Sequence, residues 1–159
     1  MGFFNSLKSM ASSITGGGAK ISMEITSEPS LSQPFGVRVT AVVGGANLSV
    51  KRVYIKVKGT EFVKARNVGV SETVNGQTQT KYRDVEYNET SFERDFDIAG
   101  AQNLSAGQTY TWEAEIDPSN YDMLPTYKGK LARHEWQVQA GLDAPGNDPN
   151  SNWVTIELM

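Results

Sequence analysis

Apolar and polar residues alternate along most of the chain, with the period of two that is typical of a strand with one buried face and one solvated face. Clusters of Gly, Pro, Asn, Asp and Ser, which favour turns, separate these runs. The predicted inward positions are Ile21, Met23 and Ile25; Val37, Val39, Ala41 and Val43; Val53, Ile55 and Val57; Tyr110, Trp112, Ala114 and Ile116; Ala132, His134, Trp136, Val138 and Ala140; and Val154, Ile156 and Leu158. The runs predict an all-β fold of seven to nine strands, an antiparallel immunoglobulin-like β-sandwich.

The dipeptide Asn75-Gly76 is the strongest hairpin signal in the chain. Both central residues of a type I′ turn need a positive φ, which Asn and Gly adopt readily. Residues 68–98 are therefore predicted to form a hairpin followed by another strand. The inward side chains of that strand are predicted to be Phe92, Phe96 and Ile98.

The start of the chain shows a helical spacing instead. Phe3, Leu7, Met10 and Ile14 recur at intervals of four, three and four residues. This pattern predicts a short N-terminal amphipathic helix over residues 3–14, and three consecutive glycines from residue 16 would end it. We therefore expect two units, a helix with a glycine hinge over 1–18 and the sandwich domain over 19–159.

The apolar face of this predicted helix is a candidate interaction element, because the glycine hinge would let it dock on its own domain or elsewhere. The expected occupants are a protein partner or a second copy of the chain, which would make a homo-oligomer. A membrane surface is disfavoured, because Lys8 is the only basic residue of the helix. The predicted partner-binding residues are Phe3, Phe4, Leu7, Met10 and Ile14.

Composition excludes several kinds of function. The chain has 15 basic and 18 acidic residues, a net charge of -3, no cysteine and one histidine. Nucleic acid is not an expected partner, because no basic excess exists to bind phosphates. Disulfides, thiol chemistry and most zinc sites are excluded, and no cofactor is expected. The chain shows no secretory signal and no apolar run long enough to span a bilayer, so a cytoplasmic protein is expected.

Enzymatic chemistry would depend on the single histidine. His134 is in register with apolar Trp136 and Val138, which favours a packed ring over a catalytic one. No nucleophile-elbow motif accompanies it. We expect a protein that is not an enzyme, with a hydrolase using His134 as the least favoured alternative.

Two loops are rich in the oxygen ligands that calcium prefers. One contains Asp143, Asn147 and Asp148, which are weak metal candidates, and the other contains Asp117, Asn120 and Asp122. Asp and Asn are also common turn formers, and the neighbouring prolines favour that interpretation.

The tryptophans raise a second alternative, a sandwich that stacks sugars on exposed rings. Trp112 and Trp136 lie at inward positions and are expected to fill the core. Trp153 has the opposite parity and is expected to be exposed. A basic stripe of Lys51, Arg52, Lys56 and Lys58 is expected to be a solvated sheet face.

The segment 124–130, followed by Trp136-Gln137-Val138-Gln139-Ala140 and Leu142-Asp143, resembles the late strands of the arrestin N-terminal lobe. Segments 35–40 and 53–59 resemble earlier strands of that lobe. The opening Met1-Gly2-Phe3-Phe4 with its helix and glycines is most similar to bacterial sporulation-control proteins.

This resemblance implies an arrestin-like sandwich with one lobe, where arrestins and the larger sporulation-control proteins have two. It implies non-catalytic contact with a protein and no particular partner. The predicted function is therefore a cytoplasmic interaction or regulatory module. A carbohydrate- or calcium-binding sandwich is the alternative.

Overall fold

The computed structural model describes residues 11–13 and 18–159, with side chains from residue 18 onwards. These residues form eleven strands and one short 3₁₀ turn at Pro118–Asn120. The strands are β1 (Ala11–Ser13), β2 (Ala19–Ile25), β3 (Phe35–Val43), β4 (Leu48–Val50), β5 (Val53–Val74), β6 (Gln77–Ala99), β7 (Gln102–Leu104), β8 (Thr109–Ile116), β9 (Tyr127–Lys128), β10 (Ala132–Leu142) and β11 (Val154–Ile156).

The strands form two main antiparallel sheets. The first has the order β1-β2-β3-β8, and the second has the order β11-β10-β5-β6, with β9 also paired to β10. β4 and β7 form a separate two-stranded pair. Both main sheets are hydrophobic on one face, as the alternation requires, and they bury that face against each other.

The core lies between the two sheets and takes side chains from both. The fully buried large residues include Phe35, Ile21 and Met23 from the first sheet and Ile55 and Trp136 from the second. The indole ring of Trp136 packs over Gly59 of β5, where an added Cβ would lie 2.8 Å from the ring. Glycine therefore permits the close approach that lets this ring fill the end of the core.

The predicted all-β fold with antiparallel sheets is confirmed. Six alternating runs occur as β2, β3, β5, β8, β10 and β11, and the inward positions of β2, β3 and β10 are nearly all buried. Within the described residues no helix is long and apolar enough to cross a membrane.

The predicted N-terminal helix is wrong where the structure describes it. Residues 11–13 form β1, which pairs antiparallel with β2, Ala11 opposite Met23 and Ser13 opposite Ile21. An unpaired β2 edge offers backbone hydrogen bonds that a short, marginal helix cannot match. The rest of that prediction, residues 3–10 and Ile14, lies outside the described residues.

Candidate protein-interaction surface

One hairpin extends well beyond the sandwich. β5 has 22 residues and β6 has 23, and they pair with each other along almost their whole length. The pairing of β10 with β5 ends at Val63, opposite Ala132. Within the described residues, the strands from Ala65 to Val85 pair only with each other. We call residues 65–85 the arm; its length is about 30 Å at the usual rise of a strand.

Local chemistry fixes the shape of the arm. Asn75 and Gly76 both have positive φ, 53° and 77°, so they form the predicted two-residue turn. Near the base, Asn67 is also left-handed, with φ of 56°, and its N–H donates to Asp84 Oδ1 at 3.1 Å. This bulge lies where the register of the two strands shifts between Ala65 and Val68.

The arm has one apolar face. The side of β5 that faces the core includes Val53, Val57 and Gly59. Alternation along the strand puts Val63 and Ala65 on the same side of the hairpin. We call its continuation the inner face of the arm. Its members on β5 are apolar except for Glu72, and those on β6 are mostly polar, with Lys81 and Arg83 at the centre. The apolar members are Ala65, Val68, Val70, Val74 and Val85.

Solvent reaches this apolar face. Val74 is 50% exposed, and Val68, Val70 and Val85 are half-buried. The opposite face carries small polar residues such as Ser71 and Thr73, together with Tyr82. An isolated two-stranded ribbon is marginally stable in water, so this partly covered apolar stripe is the candidate contact surface of the described residues.

At the base of the arm four strands meet around the buried His134. Ser91, which lies at a register shift in β6, has its Oγ 2.6 Å from His134 Nε2. Tyr127 of β9 stacks on the imidazole with ring centres 6.0 Å apart, and its hydroxyl donates to Glu61 Oε1. Burial lowers the pKa of His134 below its ordinary value of 6.5, although the Glu61 carboxylate and the Pro125 carbonyl oxygen favour the charged form.

This cluster is not a catalytic triad. His134 Nδ1 is buried and no carboxylate of the described residues accepts a hydrogen bond from it, whereas a triad holds that nitrogen on a carboxylate. The nearby carboxylate of Glu61 accepts from the Tyr127 hydroxyl instead. The arrangement ties β6, β9 and β10 together where the arm leaves the sandwich.

The candidate metal residues take part in loop contacts. Asp143 Oδ2 lies 3.5 Å from Arg52 Nε, and Asp148 accepts from the Tyr54 hydroxyl at 2.9 Å and from the Ala144 N–H at 3.2 Å. Asn147 lies exposed between them. Over the described part of the chain no group of three His, Cys, Asp or Glu side chains could hold a metal ion.

The second acidic loop is held in the same way. Asp117 accepts from the Ser119 N–H at 3.0 Å and from the Asn120 side chain at 3.2 Å, which caps the 3₁₀ turn. Asp117 and Asn120, two possible calcium ligands, therefore form turn hydrogen bonds.

The basic stripe is an ion-pair network as well as a solvated face. Arg52 binds Asp97 at 2.7 Å and Asp95 at 3.0 Å, and Lys56 lies 3.7 Å from Glu93. Arg52, which immediately precedes β5, and Lys56, which lies in β5, are thereby joined to β6, and these contacts help to set the register of the hairpin.

The side of the sandwich where β6 and β8 lie is partly open. Each of these strands is the edge of its sheet, and the two contact each other across the core. Their inward side chains pack against the core without being fully covered, which makes Trp112 half-buried where the sequence predicted a buried ring. We call this surface the β6/β8 opening; its members are Phe92, Phe96, Ile98, Tyr110, Trp112 and Ala114.

The other residues singled out in the sequence do not lie on the arm. Trp136 is fully buried and Trp153 is 38% exposed, both as predicted. The predicted partner-binding residues Phe3, Phe4, Leu7, Met10 and Ile14 lie outside the described residues. The sequence reasoning missed the arm and Ser91; the Asn75-Gly76 turn was the signal for the arm.

Comparison with known proteins identifies the fold. No family model matches this chain, and no curated protein matches it. The fold is similar to that of Spo0M. This solved structure, described as the sporulation control protein Spo0M from Bacillus subtilis, matches with a TM-score of 0.55 and 16% sequence identity. The match covers 90% of this chain and 50% of that chain, so this chain spans about half the length of Spo0M.

The resemblance to sporulation-control proteins is thus confirmed for the fold. At 16% identity the likeness shows the fold alone. The chain's two main antiparallel sheets are consistent with the arrestin-like sandwich that the resemblance implied.

Proposed function

We propose that this protein is a non-enzymatic protein-interaction module with a regulatory role, and that the inner face of the arm is its main contact surface. The observation that carries the proposal is the stripe of partly exposed valines along a ribbon that projects from the sandwich. A fold whose purpose was only to bury its own core would have no use for a 30 Å extension of two strands.

Contact through this face is favoured over addition of a strand to the arm's edges. The edges carry a bulge at Asn67 and the charged residues Arg66, Arg83 and Asp84. Bulges and charges are the features that protect exposed edges against pairing with another chain. Along β5 the inner face is apolar at Val68, Val70 and Val74, and its one charged residue there, Glu72, pairs with Lys81 at 3.5 Å.

The regulatory role draws on the likeness to Spo0M, which is described as a sporulation control protein. The non-enzymatic role draws on the base of the arm, where no carboxylate of the described residues accepts from the His134 ring as a hydrolytic triad needs. We place the protein in the cytoplasm of a bacterium, in keeping with that likeness.

We propose a second contact at the start of the chain. Phe3, Phe4, Leu7, Met10 and Ile14 are apolar residues in a stretch with little charge. β1 pairs residues 11–13 with the edge of the first sheet. Deletion of residues 2–10 should weaken partner capture while leaving β1 in place.

The test uses a matched pair of substitutions on one strand. Val70 lies on the inner face of the arm and Ser71, the next residue, lies on the opposite face. Affinity capture from the native host should lose its specific partner with Val70→Glu and keep it with Ser71→Glu, because only the first places a charge in the apolar contact. Equal capture by both variants would contradict the proposal.

A further inference from the structure

We propose that the chain around Tyr127 is a strap that is closed over His134 while the imidazole is neutral and opens when the ring gains a second proton. We call residues 127–130, which contain β9, the strap. Its opening would make the surface beside the arm respond to pH. This inference goes beyond the proposed function and does not depend on it, because it concerns the buried histidine and not the inner face of the arm.

Three neighbouring strands place Glu61, His134 and Tyr127 in one row. His134 of β10 is opposite Glu61 of β5 on one side and opposite Tyr127 of β9 on the other. Register partners project to the same face of a sheet. The Tyr127 ring stacks on the imidazole at 25° to its plane, and its hydroxyl reaches across the row to donate to Glu61. Tyr127 therefore covers His134 and is fastened on its far side.

A second proton on the ring would compete for the group that fastens the strap. His134 is fully buried, so an imidazolium there has lost its water and needs a counter-charge. Glu61 is the carboxylate opposite the ring, and in the closed form it accepts from the Tyr127 hydroxyl. A hydrogen bond from a charged donor to a carboxylate is stronger than one from a neutral phenol. The carboxylate would therefore turn to the ring and release Tyr127.

The other charged groups of the surrounding strands leave this competition in place. Glu89 of β6 is the register partner of Glu61 and is exposed, so solvent screens its charge. Arg94 of β6 lies over a tyrosine ring, 4.8 Å from its centre. Lys128 of β9 and Arg133 of β10 are register partners on the opposite face of the sheet.

The direction of the pH response follows from the surroundings of the ring. Burial lowers the pKa of His134 in the closed form, against the smaller opposing effects of Glu61 and the Pro125 carbonyl oxygen. The hydrogen bond to Glu61 raises the pKa of the Tyr127 hydroxyl above its usual 10.0, so Tyr127 keeps its proton over this range. The strap is therefore expected to be closed above pH 6.5 and to open as the pH falls below it.

The strap can open without unfolding the sandwich, because it is short and anchored at both ends. The β9–β10 pairing comprises two register pairs. Just before the strap, the Thr126 N–H donates to the Leu158 carbonyl at 2.8 Å, and Thr126 Oγ1 accepts from the Leu158 N–H at 2.9 Å. Just after it, the Leu131 carbonyl accepts from the Lys64 N–H at 2.7 Å. Local opening of so small a unit needs less free energy than global unfolding.

Amide hydrogen exchange of the intact chain, followed by NMR and corrected for the intrinsic effect of pH, is the first test. The Gly129 N–H donates to Ala132 at 2.8 Å, so the antiparallel pattern places the Tyr127 N–H on His134. The reference is the Val43 N–H, which donates to Gln108 in the first sheet. Opening at Tyr127 relative to Val43 should rise about tenfold between about pH 7.5 and about pH 5, the change that a pKa lower by about one in the closed form supplies.

The single histidine allows a second test that a merely structural role of Tyr127 would not pass. The ring signals of His134 are unambiguous in the NMR spectrum, so the midpoint of its titration can be measured in each variant. Glu61→Gln should lower the midpoint, because it removes a carboxylate that favours the charged ring. Tyr127→Phe should raise it, because that carboxylate becomes free to pair with the ring. Tyr82→Phe, at an exposed tyrosine of the arm, is the matched control and should leave it unchanged.

Thermal melting of each variant at neutral pH verifies that the sandwich is folded. The pH dependence of exchange at Tyr127 should disappear in His134→Gln. Exchange at Tyr127 that follows Val43 at every pH in the wild type would overturn the proposal. A midpoint of His134 that is the same in the wild type and in Tyr127→Phe would also overturn it, and this second result does not require the His134→Gln variant to fold.

Discussion

Shortening the arm should leave the sandwich nearly as stable as before. Ala65 and Val85 are register partners, as are Val74 and Gln77 on either side of the turn. Deleting residues 66–74 and 77–84 therefore joins Ala65 and Val85 through Asn75-Gly76, the two-residue turn that the hairpin already uses. Because an isolated two-stranded ribbon is marginally stable, we expect the free energy of unfolding to change by less than about 1 kcal/mol.

The change is measurable because all three tryptophans, Trp112, Trp136 and Trp153, lie outside the deleted residues. Urea unfolding followed by tryptophan fluorescence reports the sandwich alone. A change of 1 kcal/mol corresponds to roughly 2–4 °C in Tm for a domain of this size. A loss of more than about 3 kcal/mol would show that the arm contributes to the packing of the sandwich, and would refute the idea that it is a projecting contact element.

Three further predictions concern the sandwich. Trp136→Ala should lower the free energy of unfolding by ~3–5 kcal/mol, because the ring is fully buried and its N–H donates to the Leu124 carbonyl at 2.8 Å. Trp112→Ala should lower it by only ~1–2 kcal/mol, because that ring is half-buried on an edge strand. Equal losses in urea unfolding of the two variants would contradict this order. Burial makes the pKa of His134 lower in the folded state than in the unfolded state, so the stability that the neutral ring contributes should be full above pH 6.5 and lost as the pH falls below it. The His134→Gln variant should not show this loss of stability in acid. The same dependence of unfolding free energy on pH in both proteins would refute the prediction. Calcium should not raise the Tm, since Asp148 is bonded to Tyr54 and Ala144; a saturable rise lost in Asp148→Asn would contradict this.

The strands of the sandwich could be predicted from the sequence because one face of each is buried. Val37, Val39 and Ala41 alternate with polar residues, and that alternation is a direct consequence of the pleat. The order of strands in a sheet leaves no such trace. Trp112 has the same local pattern as Trp136, yet β8 is an edge strand and β10 is a central one, so one ring is half-covered and the other is buried.

The length of the arm could not be predicted for the opposite reason. Both faces of a projecting ribbon meet water, so the polar stretch from Gln77 to Thr80 carries little apolar alternation, although it is a regular strand. The Asn75-Gly76 turn was visible, but nothing local indicated that its strands continue into the core. Ser91 was missed because a register shift depends on the partner strand.

The short strand β1 shows a third limit. Residues 11–13 belong to a stretch with helical spacing, yet they pair with Met23, Ser22 and Ile21 of β2. Local propensity over three residues is a weak influence compared with a free sheet edge beside them.

The most direct test of the account is site-specific photo-cross-linking of the arm in living cells of the native host. A photoreactive phenylalanine derivative is placed at Val70 in one protein and at Ser71 in the other, so that the two probes differ by one residue and point to opposite faces of β5. A discrete cross-linked species is expected from position 70, either with a second copy or with another protein, and little from position 71. Equal labelling from the two positions, or none from either, would contradict the claim that the inner face of the arm is a contact surface.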